Sequence, residues 1–422
     1  MIKGQKIRFD IHNILFSIYK LNKNLNDISI KKIINKNKKE DIAFLNNVIL
    51  NTMRYNLHSL KIIKKYIKKK LRDHEKILLI SAITQIVFLD FKEYAVINCS
   101  VEIAKKLKIY PGLINATLKN ISVDKKILKH TLIYFEDLPF WFRKVANSLT
   151  NEEKKGFVRN YSKEPSIHLV FKNKEKLEMF EEKLIKTSDN SGFLKIRKDI
   201  KKFKSYQKGD WWVQDFSSFF PLSNISLKDK NKKYLDACSA PGGKAFQVLS
   251  KNIEITLNDK SKYRIDILKS NLFRLKFNTR ILNQDFTKFE KNKKYDFIIL
   301  DSPCSAIGTI RRNPEILFNL KPPNFRELNS LQEKMLETAS SLLTSNGLIL
   351  YMVCSFLKNE TIEQINKFIN KNREFQICDF QVNKNHSNYS KLIRDKFMIT
   401  LPDTILGKNI DGYFAALLQN RK

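Results

Sequence analysis

Two short apolar runs, Phe297-Ile298-Ile299-Leu300 and Leu348-Ile349-Leu350-Tyr351-Met352-Val353, each end on a polar turn that carries a cysteine. The first runs into Asp301-Ser302-Pro303-Cys304-Ser305 and the second into Cys354-Ser355, fifty positions after the first cysteine. Apolar runs this short read as buried strands. If they lie side by side and parallel, both thiols emerge at one carboxyl edge of a sheet, where open α/β folds bind their ligands. Two thiols meeting over a substrate suggest covalent catalysis with a second, thiol-assisted step.

The rest of the chain is uneven in texture. Residues 1–135 read as helical throughout, and Gly112 is the only glycine between Gly4 and Gly156. Ile63, Ile67 and Leu71 recur every four residues, with Lys61, Lys64, Lys65, Lys68 and Lys69 opposite them. Leu78 to Leu89 is apolar nearly all round and predicts a buried central helix. Over 136–205 a short helix opens at Leu138-Pro139-Phe140-Trp141. Strands are expected at Ile167–Phe171 and Gly192–Ile196, with a helix over Lys174–Ile185 between them. His168 alternates with apolar neighbours and reads as a strand surface residue. From 206 to 422 strands and helices alternate as in a doubly wound sheet. Strands are expected at Tyr234–Ala237, Ile253–Leu257 and Arg280–Leu282, then at the two cysteine-bearing runs, and Gly412–Leu418 is expected to close the sheet.

A length of 422 residues allows two or three domains. The formal net charge of +35 points to a polyanionic partner, most simply RNA or DNA. A drift toward A/T-rich codons also enriches Lys, Ile and Asn together, so the charge supports that reading without carrying it. Five cysteines, Cys99, Cys238, Cys304, Cys354 and Cys378, are too sparse for a disulfide scaffold and fit a reducing compartment. No CxxC or Cys/His cluster offers a metal site. Met1–Lys20 makes a poor signal peptide, and no segment has the roughly eighteen uninterrupted apolar residues a membrane span needs. A cytoplasmic protein, away from membranes, is expected, and nothing demands more than a monomer.

A strand that runs through Cys238-Ser239-Ala240-Pro241-Gly242-Gly243-Lys244 into a helix lets backbone approach a polar ligand closely. The loop matches neither the Walker pattern nor G-x-G-x-x-G. Asp259, after the second strand, can accept from both hydroxyls of a ribose, and Asp285, after the third, from an adenine amino group. Together they fit an adenosine cofactor without a pyrophosphate, and S-adenosylmethionine is the best candidate.

Asp41-Ile42-Ala43-Phe44-Leu45, Asn51-Thr52-Met53-Arg54, Val101-Glu102-Ile103-Ala104-Lys105 and Leu113 to Lys119 resemble the successive signatures of a NusB-type domain. The resemblance implies an all-α RNA-binding bundle. Lys119-Asn120 stand where that family often has arginines. The run Asp236 to Lys244, with Asp301 to Pro314, Tyr351 to Ser355 and Asp411-Gly412-Tyr413-Phe414, closely resembles the RsmB/Sun family. These are S-adenosylmethionine-dependent 5-methylcytosine methyltransferases of bacterial 16S ribosomal RNA. Departures are Ser239 for a usual Ala, Ala245 for Thr and Val353 for Thr, and none removes a reacting group.

The implied architecture is multidomain. An all-α NusB-like bundle occupies 1–135, a small α/β linker domain 136–205, and a Rossmann-like class I methyltransferase α/β sandwich 206–422. In the family the later cysteine attacks C6 of the cytosine and the earlier one assists release. Carried over, Cys354 is the nucleophile and Cys304 the release residue, although DNA cytosine methyltransferases attack with a Pro-Cys thiol, which would be Cys304. Asp301 would hold the cytosine N3/N4 edge or the cofactor's amino group. Lys244 would bind the methionine carboxylate or steady the base. Arg311 and Arg312 would meet RNA phosphates, and the target cytosine would be unpaired or flipped. An exocyclic-amine methyltransferase is disfavoured, since those sites carry an N/D-P-P-Y/F turn in place of Asp-Ser-Pro-Cys. The same chemistry on tRNA, and a non-catalytic RNA-binding assembly factor, are the competing readings.

Overall fold

The structure, a computed structural model, describes residues 3–382 and 389–422. The chain divides into two compact units. One comprises Met1–Lys163 with Ile310–Pro323, the other Glu164–Thr309 with Asn324–Lys422. The first unit therefore reaches beyond 135 and recruits a segment that follows Cys304 in sequence.

The first unit is helical: α1 (Lys3–Leu21), α2 (Ile28–Asn35), α3 (Lys39–Arg54), α4 (Asn56–Tyr66), α5 (Asp73–Ile83), α6 (Glu93–Lys106) and α7 (Pro111–Val123) lead its order. Pro111 opens α7 at a position whose amide has no helical partner in any case. α5 is buried from Ile77 to Ile83 and continues into a π-helical turn, Thr84–Phe88, so the run apolar on all sides is the central element expected. α4 stops at Tyr66, where Ile67 turns extended; its stripe does not run on to Leu71 as one helix. Lys64 and Lys65 are exposed, while Lys61 pairs with Asp137 at 2.6 Å.

The second unit holds two large sheets. In the smaller, β1 (His168–Phe171), β2 (Leu184–Ser188), β3 (Ser191–Leu194) and β4 (Trp211–Val213) are ordered β2-β3-β1-β4 and antiparallel. The helix expected over Lys174–Ile185 covers only Lys174–Glu178, because Leu184–Ser188 pairs with β3 as a strand. His168 is not on the surface. It is 1% exposed, with Nδ1 bonded to the Gln214 carbonyl at 2.8 Å and Nε2 to Thr187 Oγ1 at 2.8 Å.

The larger sheet is mixed. Its strands are β5 (Tyr234–Asp236), β6 (Ile255–Asn258), β7 (Ile281–Leu282), β8 (Tyr295–Asp301), β9 (Leu343–Val353), β10 (Phe375–Cys378), β11 (Ile393–Arg394), β12 (Phe397–Thr400) and, after a short β13–β14 hairpin (Asp403–Ile405, Lys408–Ile410), β15 (Tyr413–Asn420). Their order is β11-β12-β15-β9-β8-β5-β6-β7, with β10 also on β15. β5 to β9 are parallel, and β15 returns antiparallel to β9. β15 was expected to close the sheet, yet β10 and β12 pair along its outer side, so it lies inside. Two apolar clusters line the sheet, one around Leu257, Ile299 and Leu350, the other around Leu235, Ile298 and Tyr351. The alternation of Ile298 and Ile299 between clusters is what a strand buried on both faces requires. Among the described residues no helix is long and apolar enough to cross a membrane.

Candidate active site

The parallel register pairs Leu300 with Tyr351 and Asp301 with Met352, so β8 and β9 end together. Pairing persists one step beyond, where the Ser302 amide donates to the Met352 carbonyl at 2.9 Å. Both cysteines then leave the sheet at the same edge, and their Sγ atoms stand 3.3 Å apart. Each keeps partial exposure. The hydrogen bond to Cys354, then burial and the nearby Cys354 and Glu360, push the Cys304 thiol well above its ordinary range.

The loops beyond the thiols are laced by backbone. Gly308 N–H donates to the Cys354 carbonyl at 3.0 Å and Gly412 N–H to the Gly308 carbonyl at 2.8 Å. Gly308 must be glycine: a Cβ there would lie 1.9 Å from the Gly412 oxygen.

Asp301 ends β8 beside this pair. It accepts from Lys244 Nζ at 2.5 Å and from the Tyr413 hydroxyl at 3.2 Å. Lys244 is only 7% exposed, and it also donates to Ser218 Oγ at 3.0 Å and to Tyr413 at 3.2 Å. Burial, then the charge of Asp301, drives the Tyr413 phenol far up, so it stays a donor. Lys244 lies in the first turn of the helix Gly243–Leu249, just past the glycine loop that follows β5, so this ion pair ties that loop's end to the thiol edge.

That loop folds against β6. Ser239 N and Oγ both donate to the Asn258 carbonyl, at 2.8 and 3.0 Å. Ala240 N–H donates to Asp259 Oδ2 at 3.3 Å. Arg264 and Asn271 donate to the carbonyls of Ala240 and Pro241. Gly242 takes a φ of +117°, a left-handed turn open to glycine, and Gly243 begins the helix Gly243–Leu249. Cys238 packs against the cluster around Leu235, and burial pushes its thiol up. Asp259 is 3% exposed and also accepts from Ser261 N–H at 2.9 Å. Asp285 caps its own turn through Thr287 N–H at 3.1 Å and pairs with the exposed Lys260 at 2.9 Å. Those bonds hold its carboxyl down at about 2.

One sequence expectation changes. Arg311 is 0% exposed. It lies in the segment that joins the helical unit, and its carbonyl accepts from Arg54 at 3.2 Å. A guanidinium buried in packing is not presented to phosphates. Arg312, next to it, is half-buried. Residues missed from sequence are Tyr413, Asp236 and Glu360. Asp236 is 1% exposed at the end of β5, and neither carboxyl oxygen meets a hydrogen-bond partner among the described residues. Burial raises its pKa to about 7, offset in part by Lys244, with the charges of Asp301 and Asp259 adding to the rise.

A model of the family described as 16S rRNA methyltransferase RsmB/F matches residues 224–419, and a NusB family model matches residues 6–123. The chain is 24% identical over 383 residues to a probable ribosomal RNA small subunit methyltransferase B of Coxiella burnetii, covering 84% of this chain and 88% of that protein. It is 26% identical over 353 residues to the ribosomal RNA small subunit methyltransferase B of Vibrio vulnificus, covering 78% and 83%. The fold is like that of the crystal structure of PH0851, with a TM-score of 0.72, 20% identity and 99% of each chain covered. Residues 224–419 thus belong to the 16S rRNA methyltransferase RsmB/F family, carried in one chain with a NusB-family domain.

Proposed function

We propose that this protein methylates C5 of a cytosine in small-subunit ribosomal RNA, through a covalent bond between Cys354 and C6 of the base. The observation that carries the reading is the 3.3 Å approach of two partly exposed thiols at the edge where β8 and β9 end. A sheet edge of this kind is where such folds bind ligands. The ribosomal RNA small subunit methyltransferases among the relatives support the substrate class, and the formal charge of +35 suits a polyanion.

S-adenosylmethionine, when bound, supplies an electrophilic methyl group. The residues fit it. Asp236 keeps two buried carboxyl oxygens without a hydrogen-bond partner among the described residues, which calls for a donor from outside. Asp259 would take the ribose hydroxyls and Asp285 the adenine amino group. The backbone of Cys238 to Gly243 would line the cofactor, with Lys244 and Asp301 at its reacting end.

The chain's own groups then divide the work. C5 of cytosine is a weak nucleophile while the ring is aromatic. Addition of the Cys354 thiolate to C6 breaks that conjugation and makes C5 enamine-like. Cys304, its sulfur 3.3 Å from that of Cys354, stands where it can assist at the neighbouring sulfur. Asp301, braced by Lys244 and Tyr413, holds the N3/N4 edge of an extruded base. Once C5 has taken the methyl group, transfer of the C5 proton to solvent water re-forms the C5–C6 double bond as the sulfur–C6 bond breaks and the Cys354 thiolate leaves, with Cys304 beside it assisting release. Arg312 remains the candidate phosphate contact.

RNA carrying 5-fluorocytidine tests the assignment, since fluorine at C5 blocks release. A covalent, S-adenosylmethionine-dependent adduct is expected in wild type, absent in Cys354→Ala and kept in Cys304→Ala. Its loss only in Cys304→Ala would exchange the two roles. No adduct, with no methyl transfer to unmodified ribosomal RNA, would leave a binding factor. Bisulfite sequencing of that RNA locates the base.

A further inference from the structure

Five positions beyond Ser355 lies a carboxylate that touches neither thiol yet holds the residue that follows each of them. Glu360 is 0% exposed. Its Oε1 accepts from the Ser305 amide at 2.8 Å and from Gln332 Nε2 at 3.3 Å. Its Oε2 accepts from Ser305 Oγ at 2.6 Å and from Ser355 Oγ at 2.6 Å. Ser305 follows Cys304 and Ser355 follows Cys354. The surrounding bonds tighten the same knot. Gln332, also 0% exposed, donates to the carbonyl of Pro303, just before Cys304, at 3.0 Å. The Tyr351 hydroxyl donates to the Glu360 carbonyl at 3.0 Å from within β9.

The pattern fills the acceptor capacity of the group. A carboxylate offers about four lone-pair sites and no proton. Here four donors meet it, and two of them, an amide N–H and a carboxamide, can only donate. Ser355 Oγ already accepts from Leu357 N–H at 3.3 Å, so its own proton points to Glu360.

We propose that Glu360 is a positioning residue that sets the distance between the two thiols by clamping both cysteine loops to one buried carboxylate. This rests on the two-thiol reading of the site. Neither serine reaches the substrate in this scheme; each transmits the grip of Glu360 to the sulfur beside it. Glu360 does not touch the cofactor loop, so its effect falls on the thiols alone.

The test pairs methyl transfer with a ruler that needs no RNA. Diamide oxidises two close thiols to a disulfide and is itself reduced to the hydrazine, taking up both protons and both electrons. The rate of the Cys304–Cys354 link, mapped by peptide mass spectrometry, therefore reads sulfur juxtaposition directly. In folded Glu360→Ala the link should form at least about tenfold more slowly, and kcat should fall about a hundredfold. KM for RNA and binding of S-adenosylmethionine should not move. Loss of the negative charge beside Cys304 would by itself ease thiol ionisation and speed the link, so a slower link reports geometry.

Glu360→Gln keeps an oxygen for the two obligate donors, and its amide can donate to the two serine hydroxyls. It should recover both rates relative to Glu360→Ala. If Glu360→Ala does not fold, Ser355→Ala removes one arm of the clamp and takes its place in both assays. Either rate unchanged in the folded variant, or Glu360→Gln failing as badly as Glu360→Ala, overturns the proposal. A slowed link in a protein whose wild type transfers no methyl group would keep the clamp and sink the methyltransferase reading instead.

Discussion

Two carboxylates stand near each other at the ends of β5 and β8, and their surroundings set them to opposite tasks. Asp301 is matched by the Lys244 amine and the Tyr413 phenol, both within hydrogen-bonding distance. Removing the phenol should show how much that brace matters. Tyr413→Phe deletes a hydrogen bond to a charged group, typically about 1.5–3 kcal/mol. The melting temperature should fall by a few degrees, and turnover should drop about ten- to hundredfold as Asp301 is held less firmly. Asp236 has no such match, and burial raises its pKa from an ordinary 3.8 to about 7. A carboxyl raised on folding favours the fold while protonated. Its contribution is complete at low pH and lost as pH climbs through about 7. Asp236→Asn cannot ionise. Its stability relative to wild type, measured by denaturation without cofactor, should rise with pH by a few kcal/mol at most and level off above neutrality. A wild type that gains on Asp236→Asn as pH rises would mean that Asp236 is charged and supported in the free protein.

At the level of elements, the site is made where three chain segments cross, and the crossing depends on two glycines. The thiol loop after β8, the thiol turn after β9 and the entry to β15 are joined through Gly308 and Gly412. Gly308→Ala would force a methyl group into the Gly412 carbonyl. It should cost about 1–3 kcal/mol or more and slow the diamide link between the thiols, which a distant destabilising substitution would leave alone. These crossings explain what the sequence could say about the site. Strand-and-turn patterns placed Cys304, Cys354, Asp301 and Lys244 on neighbouring strand ends, because a parallel sheet aligns carboxyl ends by construction. Tyr413 and Glu360 escaped, since each reaches the site from a segment whose own pattern is silent about it. Tyr413 opens an antiparallel strand inside the Asp411–Phe414 motif of the family resemblance, a motif that by itself gave the tyrosine no role at the site. Glu360 sits in Lys358-Asn359-Glu360, a polar triplet that looks solvated until its partners are known. The helix expected over Lys174–Ile185 failed for a related reason: pairing of Leu184–Ser188 with β3 outweighed local helical preference.

At the scale of the whole chain, the two units do not follow sequence order. Residues 310–323 leave the sheet unit six positions after Cys304 and belong to the helical one. Their anchor is Phe318, 1% exposed, which sits in a cluster with Ile14, Leu15, Ile18 and Met53. Its ring meets Tyr19 edge-on at 5.6 Å between centroids, and Leu320 N–H donates to the Tyr19 carbonyl at 3.1 Å. Phe318→Ala in the full chain would open a cavity there, at a cost of about 3–5 kcal/mol. The loss should be local to the helical unit. Hydrogen exchange is the right measurement, because it reports each element's own opening free energy. Amides of α1 and α3 should exchange faster, while those of β8 and β9 keep their protection. If β8 and β9 lose protection as fully as α1, the segment would be transmitting helical-unit stability into the strands that carry the cysteines. The chain would then behave as one cooperative body despite its two units.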